Sequence, residues 1–431
     1  MDELGTTRFA RGTRSFLLSL FLAIVVLVPV IDTAGDYLDN AAQQRRMLAA
    51  HAPISEIPRR RPQAFDVIDF VPTPSRILGA RTLEDWTRLL PTPRVLREYE
   101  DERSRRSRVG KWVRPWAQWL LTGWFGTGNQ QVVYGKDGWL FYSEGAQYAS
   151  GPGFLDPAQL DKRKGEVPAP DPRPAIYQLN DELKAIGTTL IVLPVPEKAV
   201  VHPSSFSTGR VFDGPVQNPS WGEFLQGLRQ HGVLTLDLSQ SMFDAERSGS
   251  PQFLQADTHW SESGLDLTAR ALASALAEQP GVSSAPSRVF VRRPIRFVRK
   301  FDLLTRLDLP DFAAKRLTSL APIGLTQIRD ASGTTWRPDT TSGILFIGDS
   351  FLEIFSDGTG SGLAAGLAEQ VSFYLQRAVD RRAKHDFGFL DVREQLGTSI
   401  EMVRREAARR RIIVFVFAMR KLSANGWPLL E

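Results

Sequence analysis

An α/β fold, a parallel sheet with helices on both faces, is the expectation raised by this 431-residue chain. Short, continuous apolar runs recur at 189–194 (TLIVLP), 343–347 (GILFI) and 412–417 (IIVFVF). Runs of that length without polar alternation suit strands covered on both faces. Stretches with helical spacing separate them, at 176–186, 221–230, 261–277 and 362–375. Parallel neighbours need a long crossover, which a helix supplies, so strands alternating with helices favour parallel pairing.

Along the chain, Ser15 to Ile31 reads SFLLSLFLAIVVLVPVI, seventeen residues without a charge. That is the short end of what spans a bilayer. Arg8, Arg11 and Arg14 precede it and Asp32, Asp36 and Asp39 follow, so the basic flank stays cytoplasmic and the remainder lies outside. A transmembrane anchor is the expectation, with a cleaved signal peptide or a buried core helix as the alternatives; no good A-x-A site follows Ile31. The expected organisation is a cytoplasmic N-terminus at 1–14, the anchor at 15–31, a basic juxtamembrane stalk at 32–125 and a catalytic domain at 126–431.

The stalk carries Arg59-Arg60-Arg61-Pro62 and the pairs Pro72/Pro74 and Pro91/Pro93, which suit an extended connector. Val95 to Val113 reads as a charged helix. Trp112, Trp116, Trp119 and Trp124 follow closely, the first three on one helical face, either as core packing or as an interfacial belt. In the body, VVY at 132–134 and WLFY at 139–142 flank the polar turn GKDG, predicting a hairpin. Val233 to Leu238 reads as a further strand.

Composition removes several function classes. Hydrophobic residues at 42% and charged residues at 23% exclude a wholly disordered chain. The chain has no cysteine, so thiol nucleophiles, disulfides and cysteine zinc sites are out. The net charge of +5 is local: residues 40–115 hold 16 basic and 9 acidic side chains, whereas 116–431 hold 34 of each. A neutral body speaks against nucleic-acid binding, and a basic stalk suits an anionic neighbourhood.

Two constellations carry chemistry. Gly348-Asp349-Ser350 directly follows the buried run ILFI, where open α/β sheets hold ligands. Taken alone, this tripeptide reads more readily as a strand-ending turn than as a nucleophile. Asp257-Thr258-His259-Trp260 precedes Ser261-Glu262-Ser263 and a helix. There Asp257 can orient the His259 imidazole, or the loop can simply cap the helix through Ser261 or Ser263. Of the five histidines, only His385 has a similar carboxylate neighbour, Asp386, and it reads as a surface turn. No H-x-H, H-E-x-x-H or acidic cluster appears, so neither a metal nor a cofactor is expected. Taken together, the motifs favour a Ser350–His259–Asp257 triad.

The same motifs carry a family likeness. The blocks GKDGWLFY (135–142), VLPVPEKAVVHP (192–203), QADTHWSESG (255–264), FDLLTRLDLP (301–310), LFIGDSF (345–351), GLAEQVSFYLQR (366–377) and VFAMRKL (416–422) resemble the alginate O-acetyltransferase family of the AlgJ and AlgX type. The resemblance covers residues 90–431 and implies an SGNH-hydrolase-like domain. It implies Ser350 as the nucleophile taking the acetyl group, His259 as general base and Asp257 as its orienting acid, with Gly348, Asp349 and Arg420 in support. Phe301 and Val416 depart from the family pattern, where a glycine and an acidic residue are expected. The arrangement so implied is AlgJ-like, expected to be anchored at the inner membrane with the catalytic domain in the periplasm and without an AlgX-type carbohydrate-binding module after the last core strand.

The activity so implied is polysaccharide O-acetyl transfer to an exported polymer such as alginate. A multipass membrane acyltransferase is the implied partner, supplying acetyl groups. An SGNH-type carbohydrate acetyl-esterase and a non-catalytic polysaccharide-binding subunit are the alternatives.

Overall fold

The structure is a computed structural model. It describes residues 107–431 except 208–209, 283–286, 318–321, 357–362, 384–395 and 397–398. Before residue 107 it describes only positions 19, 27–28, 30–39, 41–42, 45 and 82. Most of the expected anchor, most of the stalk, including residues 95–106 of the helix expected at 95–113, and the His385–Asp386 pair therefore lie outside the described residues. Among the described residues, no helix is long and apolar enough to cross a membrane.

The chain divides into two compact units, Met1–Ala117 and Gln118–Glu431. In the first, residues 30–39 are helical. There Asp32 Oδ1 accepts the Arg108 N–H at 2.7 Å, capping helix α1 (Arg108–Phe125). An acidic cap satisfies one of the unpaired N–H groups at a helix start and meets the positive end of its dipole.

The second unit takes in the last turns of α1, from Gln118, and continues into the expected hairpin, β1 (Val132–Tyr134) and β2 (Leu140–Tyr142), paired antiparallel. Asp137 and Gly138 turn it with φ of 53° and 78°, a left-handed conformation that glycine adopts without steric cost. Next come helix α2 (Arg173–Ala185), β3 (Thr189–Val195), α3 (Trp221–Gln230), β4 (Leu234–Thr235) and α4 (Glu262–Ala277). Strands β5 (Phe290–Phe297) and β6 (Ile323–Asp330) flank the short helix α5 (Asp302–Arg306). Finally β7 (Ile344–Gly348), α6 (Ser350–Glu353), α7 (Leu367–Leu375), β8 (Asp380–Ala383), α8 (Ile400–Ala407) and β9 (Ile412–Ala418) complete the body.

The main sheet has five strands in the order β4–β3–β9–β7–β8, all parallel. Its side-chain alternation builds two cores. From β9, Ile412, Val414, Val416 and Ala418 pack on one side with Leu265, Leu272 and Leu276 of α4 and Val371 of α7. Ile413, Phe415 and Phe417 pack on the other with Ile176 and Leu183 of α2, Phe224 of α3 and Val403 of α8. Helices therefore cover both faces, as the continuous apolar runs require. Each fully buried leucine or phenylalanine contributes roughly 1.5–3 kcal/mol, so this double core dominates stability.

Several expectations need correction. The strand expected at 233–238 shrinks to Leu234–Thr235. Asp237 accepts from Ser239 N–H and Oγ and from Trp221 Nε1, turning the chain out of the sheet. The helix expected from residue 362 begins at Leu367, since Gly366 is extended and tight against Ser356. The β5–β6 antiparallel ribbon is absent from the sequence expectations. Its face switches along its length, with Phe290 and Ile328 buried towards one end and Ile323 and Leu325 towards the other. That twist, with Arg292, Arg293 and Pro294 at mid-strand, erases the period-two signal.

Candidate active site

Strand β7 delivers Ser350 to the carboxyl edge of the sheet through a turn locked from behind. Asp349 caps α6, its Oδ1 accepting the Phe351 N–H at 2.9 Å. Its Oδ2 accepts the Ala418 N–H at 2.8 Å, tying the turn to the end of β9. Asp349 is 1% exposed, so its place is structural, beneath the turn. Gly348 is needed for space: a Cβ there would meet the Val416 carbonyl oxygen at 2.5 Å. Phe351 is buried and packs edge-on against Trp260, ring centroids 5.0 Å apart, and lies 5.1 Å from the His259 ring.

The second segment is the loop before α4. Leu254 N–H donates to the His259 carbonyl, and Ser261 N–H to that of Gln252, pinching the loop. Ser261 is the cap, its Oγ accepting from the Gly264 N–H at 3.2 Å. Within the loop, His259 Nδ1 lies 2.7 Å from Asp257 Oδ1, and His259 Nε2 lies 3.0 Å from Ser350 Oγ. A carboxylate only accepts, so Nδ1 carries the proton and Nε2 is free to accept from the serine hydroxyl. Asp257 is fully buried. Burial alone would raise its pKa, but His259, Arg299 and the Asp302 N–H together hold it well below the usual carboxylate range. A buried carboxylate that stays ionised keeps the imidazole in one tautomer and stabilises it when protonated.

The sequence reading did not single out the groups that hold this loop. Asp302 N–H donates to Asp257 Oδ2 at 3.1 Å, and the Arg299 guanidinium lies 3.4 Å from the same oxygen. The Asp302 carboxylate accepts from Thr258 N–H and Oγ at 2.7 and 2.6 Å. Lys198, buried just after β3, donates from Nζ to the Leu140 carbonyl at 2.7 Å and the Gln255 carbonyl at 3.2 Å. The lysine thus fastens the loop to the β1–β2 hairpin. Burial lowers its pKa to about 7, against the pull of Asp257 and Asp302. The charged pair Glu197-Lys198 just after β3, and Asp302 in the FDLL block, were the available signals.

Arg420 is buried at the end of β9. Its N–H donates to Glu197 Oε1 at 2.9 Å and its Nη1 reaches both Glu197 oxygens at 3.2 Å. Its guanidinium lies 5.2 Å from the Tyr142 ring centre and 5.9 Å from that of Phe351. Val416 is fully buried opposite Gly348, and Phe301 has an ordinary φ of −72° that makes no demand for glycine. His202 lies tilted against Trp139 in the core, ring centroids 4.5 Å apart, kept neutral by burial and by Lys198, which lower its pKa to about 3. His231 lies apart, 2.9 Å from Asp181.

Asp257, His259 and Asp302 present ligand-type atoms within 4.8 Å of one another. Those atoms are engaged by each other, by Thr258 and by Arg299. That is the bonding of a braced loop, and a cation there would have to displace Arg299.

A hydroxyl, an imidazole and a buried carboxylate in this order suit acyl transfer. Residues 132–392 match the family described as SGNH hydrolase-like domain, acetyltransferase AlgX. The chain belongs to this AlgJ/AlgX-like family. It is 30% identical over 210 residues to the probable alginate O-acetylase AlgJ of Pseudomonas aeruginosa, covering 46% of this chain and 49% of that one. It is 27% identical over 124 residues to the alginate biosynthesis protein AlgX of the same species, covering 28% and 26%. The chain thus spans about half the length of the AlgJ relatives it matches. The O-acetyltransferase domain of Pseudomonas putida AlgJ shares its fold, with a TM-score of 0.51 at 22% identity over 68% of this chain and 93% of that domain. The family places an SGNH-like parallel sheet flanked by helices where the apolar runs alone raised the expectation.

Proposed function

We propose that this chain is a polysaccharide O-acetyltransferase working through an acetyl-serine intermediate. The observation that carries the reading is the relay Asp257–His259–Ser350, with contacts of 2.7 and 3.0 Å. The names borne by its AlgJ relatives support the reaction class. His259 Nε2 removes the Ser350 proton as Oγ attacks the carbonyl carbon of an acetyl donor. The tetrahedral oxyanion collapses, and the leaving group departs with the proton from His259. A sugar hydroxyl then gives its proton to His259 and attacks the acetyl-serine carbonyl. Ser350 leaves and recovers that proton, and the sugar carries the ester.

The oxyanion needs donors in place before charge develops. At this turn the Phe351 N–H is held by Asp349 Oδ1 and the Leu352 N–H by the Asp349 carbonyl. We therefore assign the Ser350 N–H, first in α6, to the oxyanion. The acceptor in this reading is an exported exopolysaccharide, and the donor a multipass membrane acyltransferase. The apolar segment at 15–31 would anchor the chain in the inner membrane, its catalytic domain outside the cytoplasm.

The test uses purified protein, a chromogenic acetyl ester and an acceptor oligosaccharide. Wild type is expected to form acetyl-Ser350, seen by mass spectrometry, and to yield acetylated sugar. Ser350→Ala should do neither. Release of acetate alone with the acceptor present would make the protein an esterase, and full transfer by Ser350→Ala would remove the triad.

A further inference from the structure

Helix α1 is amphipathic in the reverse of the usual sense. The positions it buries are polar: Gln118 and Thr122 are 9% and 6% exposed. Gln118 Nε2 donates to Thr122 Oγ1 and to the Thr127 and Gly128 carbonyls, and Thr122 Oγ1 donates to the Thr127 carbonyl. In its second half the positions it shows to solvent are mostly apolar. Trp124 and Phe125 are 80% and 70% exposed, and Leu120 and Leu121 are each 45% exposed. Phe312, also 45% exposed, meets Trp119 edge-on with ring centroids 5.4 Å apart. A soluble surface helix places these two classes the other way round.

Exposed apolar area of this kind is unfavourable in water by roughly 25 cal/mol per Å² and marks an interaction surface. Charge decides what covers it. The helix has no acidic residue and carries Arg108, Lys111 and Arg114 in its first half. The segment leading into it is basic as well, with 13 basic against 9 acidic side chains over 40–107. Arg108 is already paired with Asp39, but the basic 40–107 segment, or a second copy, would bring further cations against this face. Anionic headgroups complement Lys111 and the net basic charge around it, each basic residue near such a surface gaining about 1 kcal/mol. Tryptophan, phenylalanine and leucine beside lysine and arginine are what an interfacial helix requires, with rings seated at headgroup level.

We propose that helix α1 docks on an anionic lipid bilayer, with Trp124 and Phe125 entering the interface. Such docking would hold the catalytic unit at the membrane surface independently of any N-terminal span. The proposal does not depend on acetyl transfer, since its readout is optical.

The full-length chain is reconstituted into phosphatidylglycerol/phosphatidylcholine vesicles whose acyl chains are brominated near the headgroup, and tryptophan emission is measured. Wild type is expected to be quenched relative to unbrominated vesicles. In Lys111→Glu/Arg114→Glu, which keeps every tryptophan, quenching should fall at least twofold, as it should for wild type on pure phosphatidylcholine. Trp124→Glu/Phe125→Glu should lose most of it while keeping the wild-type far-UV spectrum and unfolding midpoint. Equal quenching in wild type and both variants, or equal quenching on neutral and anionic vesicles, would overturn the proposal. So would unquenched emission together with cross-linking between copies through residue 124, which would make the face a self-association surface.

Discussion

Gly348 on β7 and Val416 on β9 stand so close that a Cβ on the glycine would lie 2.5 Å from the valine's carbonyl oxygen and 3.0 Å from its Cβ. Both belong to interior strands of the sheet, and the obstacle is backbone, which cannot rotate aside. Gly348→Ala is expected to part β7 from β9 immediately before Ser350, costing about 1–3 kcal/mol as overpacking does. Urea denaturation measures that loss. Turnover of the acetyl ester should fall too, because the Ser350–His259 contact lengthens; unchanged values in both assays would show that the strands yield.

Asp257→Asn tests the acid. The amide occupies the same space but can present an N–H to His259, favouring the wrong tautomer. Turnover is expected to drop on the order of 10⁴-fold, with substrate KM little changed. A drop below tenfold would mean that Asp257 serves only to shape the loop.

Lys198 gives a pH-dependent prediction. Its pKa is lowered by burial to about 7 from an ordinary 10.5. Between those values the unfolded chain keeps a proton on this lysine that the folded chain has released, so the lysine's contribution to stability rises with pH. Lys198→Met removes the titration. The stability of wild type minus that of the variant should therefore increase across this window, by at most about 1.4 kcal/mol per pH unit. Denaturant curves for both proteins at several pH values would show it, and a flat difference would mean the lysine stays protonated throughout.

The Glu197–Arg420 pair tests buried charge. Arg420→Met leaves Glu197, 3% exposed, without its counter-ion and is expected to cost roughly 3–5 kcal/mol. Adding Glu197→Gln should recover more than half of that loss. Additive losses in this double-mutant cycle would show that the two residues act independently.

Much of this architecture was legible one segment at a time. TLIVLP, ILFI and IIVFVF each declared a buried strand, because a strand covered on both faces has nowhere to place a polar side chain. Helix α4 was legible from its cap and its apolar face, Ser261 and Leu265 through Leu276. By contrast β8, whose four residues are Asp-Arg-Arg-Ala, and the ribbon built around Arg292, Arg293 and Pro294 were not. Their pairing is set by neighbours remote in sequence rather than by their own composition.

The candidate site divides along the same line. Asp257 and His259, two residues apart, and Ser350 after a strand were visible locally, since each needs only its own turn to be presented. That His259 and Ser350 meet across 91 residues depends on two loops reaching the same edge of the sheet. That Asp302, Arg299 and Lys198 brace the loop depends on segments around residues 300 and 198 folding onto it. The sequence by itself determined the apolar core strands, the helices packed on them and the candidate site side chains, through local hydrophobicity and turn chemistry. Only the tertiary structure decided which of those side chains touch, because contact between distant segments is a property of packing, which no single segment encodes.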